Sequence, residues 1–227
     1  MAFGRIDFDP ALMARTYRRP LALAGLILDL APVYAVLFLG WDAVALVMLY
    51  WLENVIIGLV TLARLLLTGA RGGVGNLAGA VFMGAFFTVH YGMFCFVHGV
   101  FLVVLAELAN AGSPPFPSPA FLIDYAIMAG PGLGLLAAGL LAWHFTLMLQ
   151  DTLAGTAPSS TALSDAMSAP YGRIIVLHFG IFAGFGALIA LGQPMIGVLA
   201  LILLDVAWGM YQAQKREHPA PVAQPES

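Results

Sequence analysis

The chain has little charge and almost no cysteine. Only 9% of its 227 residues are Asp, Glu, Lys or Arg, while 61% are hydrophobic. A soluble globular protein carries about 25% charged residues, so an ordinary water-soluble domain is excluded. Cys95 is the one cysteine, which excludes an internal disulfide and any multi-cysteine metal centre. The few Lys and Arg residues form no dense basic patch, so nothing points to a nucleic-acid partner. A P-loop, a G-x-G-x-x-G turn, an EF-hand loop and an H-E-x-x-H helix are all missing, and with them the chemistry that each motif supports. The net charge of −3 decides little, because in a membrane chain the placement of charge outweighs its sum.

What the chain has is apolar length. About 20 mostly apolar residues cross roughly 30 Å of hydrocarbon. Six stretches qualify, at about 21–40, 43–66, 78–106, 131–150, 171–191 and 194–213. The expected fold is therefore all-α: a polytopic transmembrane helix bundle over 21–213. It is preceded by a polar segment, 1–20, and followed by a tail, 214–227, that is rich in proline and expected to be disordered. The basic start and apolar centre of the first stretch also suit a signal peptide. No A-x-A site ends it and its length suits a crossing, so it reads as a retained first span.

The cations test this count. Lys and Arg stay cytoplasmic. With the N-terminus inside, Arg5, Arg15, Arg18 and Arg19, then Arg64 and Arg71, then Arg173, then Lys215 and Arg216 all fall on the inner side. One span more or fewer would scatter them. Six spans with both termini cytoplasmic is the expectation. Within those spans there is no serine and no lysine, which excludes a rhomboid-type serine protease and a retinal Schiff base.

Two connections exceed a turn. The outer one, 107–130, holds a proline run from Pro114 to Pro119 and then an apolar segment too short to span. That segment is expected to form an interfacial or re-entrant helix over the outer mouth. The inner one, 151–170, is rich in Ser, Thr and Ala and is expected to be a loop with a short helix. Arg71 to Asn76, rich in glycine, separates spans two and three. No internal repeat is visible, so the inverted-repeat signature of many transporters is not seen.

The chemistry rests on polar groups inside the spans. Ionisable side chains at bilayer depth are costly and mark functional sites by default. They are Asp29, Glu53, His90, His98, His144, His178 and Asp205. Counting about 1.5 Å per residue from the span ends, Glu53, His90 and Asp205 fall near mid-membrane. His178 and His144 fall somewhat inward, and His98 roughly 12 Å outward of His90. Glu53 with Asn54 beside it could ligate a metal, act as a general base or, as the neutral acid, cross-link helices. His90 and His98 are eight residues apart, too far along one helix to share a metal ion. His144 is nearest an interface and least in need of a role, and Trp143 beside it reads as an interfacial anchor. Gly180 and Gly184 place His178 beside a G-x-x-x-G packing face. Asp29 lies next to a possible kink at Pro32. Gly92, Cys95 and Gly99 form a small-residue stripe suited to close helix packing.

The segments Tyr50-Trp51-Leu52-Glu53-Asn54 and His90-Tyr91-Gly92-Met93-Phe94-Cys95-Phe96-Val97-His98-Gly99 resemble the signatures of an uncharacterised family of small bacterial multi-pass membrane proteins. The resemblance implies a bacterial inner membrane and singles out Glu53, Asn54, His90 and His98. It implies no reaction.

Four activities fit these residues. The leading expectation is a metal site, with a divalent ion such as Zn on His90, His178, Glu53 and Asp205. Membrane hydrolysis would be its chemistry, with Glu53 and Asp205 catalytic. The second is a haem b electron-transfer protein with His144 and His178 as axial ligands. The third is a proton-coupled carrier or channel with Glu53, Asp205 and the histidines as a relay. The fourth is a structural protein whose polar groups only lock helices together. The lipid bilayer is the one partner the sequence implies. It names no substrate.

Overall fold

The structure, a computed structural model, describes residues 9–109, 117–154, 160–168, 170–171, 202–203 and 206–214. Those residues are helical with short connections. The helices are α1 (Pro10–Tyr17), α2 (Pro20–Phe38), α3 (Ala43–Arg71), α4 (Val74–Ala109), α5 (Pro119–Met128), α6 (Leu133–Ala154) and α7 (Ser160–Ser168). Residues 206–214 are helical as well.

Local chemistry sets the boundaries. Asp42 caps α3 by accepting from the Ala45 amide at 2.9 Å, which satisfies a backbone donor that the first turn leaves open. Ser118 does the same for α5 through the Phe121 amide at 3.2 Å, and Pro119 starts that helix where its missing N–H costs nothing. The proline run thus ends in a helix start. Between α3 and α4 the chain reverses at Gly73, whose φ of 88° suits glycine best. The turn is tighter than the sequence suggests. The expected separator, residues 71–76, contributes Arg71 to α3 and residues from Val74 onward to α4.

Four of the described helices are long and apolar enough to cross a membrane: α2, α3, the Val74–Glu107 part of α4, and α6. They correspond to the first four expected spans, with α3 and α6 running past their expected ends at 66 and 150. Most of the fifth and sixth expected spans lies outside the described residues. At 36 residues, α4 is about 54 Å long at 1.5 Å per residue. It therefore tilts or projects beyond the hydrocarbon.

The core is built round α3. Two-thirds of its apolar window is buried (67%), against 33% or less for the other three spans. Antiparallel α4 packs on one side of it. The Trp51 indole donates to the Cys95 carbonyl at 2.8 Å, and the Tyr91 hydroxyl donates to the Asn54 carbonyl at 3.0 Å. Parallel α6 packs on another side and is pinned at both ends. At one end, Trp41 donates to the Pro131 carbonyl at 3.0 Å. At the other, Arg64 pairs with Asp151 at 3.4 Å and Arg71 bonds the Thr152 carbonyl. Antiparallel α2 packs on α6, where Trp143 donates to the Leu21 carbonyl at 2.9 Å and lies against Gly25. Trp143 thus spends its polar edge between helices. The two ends of the described chain also meet: Gln214 donates to the Met13 sulfur at 3.3 Å, and Gly209 lies against Asp29.

Helix α5 packs on α3, α4 and α6 at the end where Trp41 meets Pro131. Leu122 and Ala126 are its buried face. Leu122 lies against Gly99, and the Tyr125 hydroxyl donates to Glu107 at 3.0 Å. At the other end, α7 packs on α3 and α4, with Leu163 in a cluster that includes Leu65 and Phe87.

Candidate functional site

Glu53 lies on the apolar stripe of α3. Leu46 and Leu49 precede it by seven and four residues, Ile56 and Val60 follow by three and seven, and all four are buried. That spacing puts them on one helix face. His144 has the same relation to α6, whose buried Ala137, Leu140 and Met148 lie seven and four residues before it and four after it. Each stripe therefore carries one polar group. Because α3 and α6 are parallel and the residues just before them, Trp41 and Pro131, are joined, those groups come level. His144 Nε2 is 3.2 Å from Glu53 Oε1, with the two side chains 18% and 5% exposed.

Both groups lie within helices long and apolar enough to cross a membrane. Glu53 is ten residues into α3, about 15 Å from its start. His144 is eleven residues into α6. The sequence reading placed His144 further inward because it measured each span from its own ends. The pins between α3 and α6 fix a shared register instead.

The pair can hold one proton in two neutral ways, as imidazolium with carboxylate or as imidazole with carboxylic acid. Gaining or losing a proton leaves net charge in a low-dielectric interior, which costs free energy unless solvation or movement offsets it. A buried pair of this kind is suited to proton binding coupled to rearrangement. Chemically it also offers a metal one nitrogen and one oxygen. Among the described residues, no three His, Cys, Asp or Glu side chains come together as a metal site.

Asn54 is only 2% exposed. Its Nδ2 donates to the Tyr50 carbonyl at 2.7 Å, and its backbone carbonyl accepts from Tyr91. Its Oδ1 is buried without a hydrogen-bond partner among the described residues.

The structure does not turn His90 toward Glu53. On α4, Phe87, Tyr91 and Cys95 are buried while His90 is exposed. The His90 ring stacks on Phe86 at 5.5 Å and lies 5.9 Å from the Tyr171 ring. His98 is half-buried, with Nδ1 2.7 Å from the Phe94 carbonyl and its ring against Phe94. A carbonyl can only accept, so that bond places the hydrogen on Nδ1. Asp29 is half-buried beside Gly209. Burial and then the Asp29 charge push the Tyr17 hydroxyl of α1 above its ordinary value. His178 and Asp205 lie outside the described residues.

The small-residue stripe of α4 divides. Gly99 receives the Trp51 ring and Leu122, and Cys95 is buried under the same indole. Gly92 has open space where a Cβ would stand. It lies instead on a shallow apolar groove of about 120 Å³ between α3 and α4, lined also by Gly58, Leu59 and Phe87.

No curated protein and no solved structure matches the chain. One family model does, over residues 11–227, which is nearly the whole length. The chain belongs to the family of unknown function DUF6498.

Proposed function

We propose that this protein binds and releases protons at the Glu53–His144 pair, as the working part of a proton-coupled carrier or channel. The supporting observation is the 3.2 Å contact of a buried carboxylate with an imidazole inside two parallel helices long and apolar enough to span. A group at that depth gives an ion pathway its titrating step, and a change of charge there alters the attraction between α3 and α6. We further infer a multi-pass protein of the bacterial inner membrane with six spans and both termini cytoplasmic. The placement of all the cations on one side supports this, as does the contact of Met13 with Gln214.

Proton flux tests the reading. Protein reconstituted in liposomes under an imposed pH gradient carries protons, and Glu53→Gln and His144→Asn abolish the flux. Equal flux in all three proteins, or none in any, ends the proposal.

A second reading gives Glu53 a divalent metal such as Zn, with His144 as co-ligand. The donor types and their position on facing helices favour it. A catalytic zinc takes about three protein ligands and a water, and hydrolysis would require that complete set. His178 and Asp205 remain the sequence's candidates for it, with His90 third. Elemental analysis of the purified protein decides. Stoichiometric metal supports this reading, and a metal-free protein whose stability ignores chelators removes it.

A further inference from the structure

We propose that the joint between α1 and α2 binds an anionic phospholipid, with its headgroup phosphate on Arg15, Arg18 and Arg19 and an acyl chain along the outward stripe of α2. The site stands apart from Glu53 and His144 and needs only that α2 lies in a bilayer.

The three arginines fall within five residues, directly before a helix long and apolar enough to cross a membrane. The joint that holds them is well fixed. Asp9 caps α1 through the Ala11 amide at 3.2 Å, and Pro10 starts it. Thr16 is buried, and its hydroxyl donates to the Leu12 carbonyl at 3.0 Å. Met13 accepts from Gln214. These contacts turn one side of α1 inward. Arg15 and Arg18, three apart and so on one face, are left exposed, as is Arg19 in the joint. Among the described residues, no carboxylate pairs with Arg15 or Arg18.

Charge is segregated along the bundle. Because α2 is antiparallel to α6, the joint lies toward the end where α6 and α3 finish. Arg64 pairs with Asp151 there, and Arg71 bonds the Thr152 carbonyl. The five arginines of the described residues thus gather at one end, whereas Asp42, Glu107 and Asp124 lie at the other. A guanidinium meets a phosphate through a planar fork of donors. A zwitterionic headgroup would bring its own ammonium to the same place, which the arginines repel. An anionic headgroup brings none.

The lipid chain accounts for the second half of the site. On α2, Leu23, Ile27 and Leu30 are 44%, 60% and 44% exposed, while Gly25, Pro32 and Ala35 are buried. Spacings of four and three put the exposed residues on one stripe. Arg19 lies four residues before Leu23, and its carbonyl accepts from the Leu23 amide at 3.0 Å, so it heads the same stripe. A free phosphate would use the arginines alone. A cationic head continued by an apolar stripe has the order of charge and hydrocarbon found in a lipid.

Native mass spectrometry of the delipidated full chain, titrated with dioleoyl phosphatidylglycerol or dioleoyl phosphatidylcholine, tests this. An arginine near a headgroup is worth about fivefold in affinity, so wild type should bind phosphatidylglycerol the more tightly and Arg18→Gln should weaken that binding by about this factor. The triple variant Arg15→Gln/Arg18→Gln/Arg19→Gln should bind the two lipids alike. Its unchanged binding of phosphatidylcholine shows that it is folded. The corresponding triple lysine variant keeps the charge and should keep a preference for phosphatidylglycerol. Millimolar glycerol phosphate should leave the lipid bound to wild type. Equal affinity of wild type for the two lipids overturns the proposal, and so does a preference that persists in the glutamine variant. Displacement by glycerol phosphate overturns it as well, since the arginines would then take a free phosphate without the chain.

Discussion

His144 Nε2 and Glu53 Oε1 are 3.2 Å apart across 91 residues of sequence, each on the buried stripe of its helix. The contact joins two parallel helices between pins at Trp41–Pro131 and Arg64–Asp151. It is a polar cross-link in a place where the alternative is a charge facing hydrocarbon.

Removing both members should therefore cost less than the two single removals added together. Glu53→Ala leaves an imidazole buried without its carboxylate, a loss of about 3–5 kcal/mol for pairs of this kind. Glu53→Gln keeps a hydrogen-bonding group and loses about 1 kcal/mol. The double variant Glu53→Ala/His144→Ala should lose less than the sum of its singles, with a coupling of about 0.5–3 kcal/mol. Denaturant unfolding in detergent reads all of these. Additive losses would mean that the two groups do not interact.

Two glycines, one on α3 and one on α4, should behave in opposite ways. A Cβ on Gly58 would stand 2.6 Å from the Tyr91 ring. Gly58→Ala must push the ring aside and with it the bond to the Asn54 carbonyl, an overpacking cost of about 1–3 kcal/mol. Gly92 meets nothing within 4 Å, so Gly92→Ala should stay within about 0.5 kcal/mol of wild type. Thermal unfolding of the two variants side by side checks the α3–α4 packing. Equal shifts would count against the tight contact at Gly58.

The clasp between α5 and the end of α4 has its own pH dependence. Burial first, and then the Glu107 carboxylate that accepts its hydrogen bond, push the Tyr125 hydroxyl from 10.0 up to about 12. A group whose value is raised by folding stabilises the fold fully below its unfolded value and loses that contribution as pH climbs through the folded one. Stability from Tyr125 is thus intact below about pH 10 and declines toward pH 12. Tyr125→Phe should flatten the stability curve in that window and leave neutral pH nearly unaffected, apart from the lost bond to Glu107. A variant curve parallel to wild type from pH 10 to 12 would show that the clasp does not titrate.

The sequence revealed the first four spans because each is an apolar run of bilayer length with few charges. It revealed α5 because a proline run and a serine precede a short apolar segment. It singled out Glu53 and Asn54, which are buried side by side. It missed that His144 is the partner, since span-by-span depth does not contain the register between helices. Trp41 and Pro131 set that register, 90 residues apart. His90 was expected to face inward because it is polar. The ring contacts of Phe87 and Tyr91 with each other and with Tyr171 show which α4 face is buried instead. Trp143 was read as an anchor because tryptophan favours interfaces, but Gly25 opposite it leaves room for an indole. His178 and Asp205, two members of the expected metal set, lie outside the described residues.

The most direct test of the central claim is a pH titration of the Glu53 carboxyl, read from its carbonyl stretch by infrared spectroscopy on protein in a bilayer. The account predicts a band that appears and vanishes reversibly with pH, is absent from Glu53→Gln, and titrates at a different pH in His144→Asn. A band that stays constant across the accessible pH range, or one that ignores His144→Asn, would contradict it and leave Glu53 and His144 as a fixed cross-link between helices.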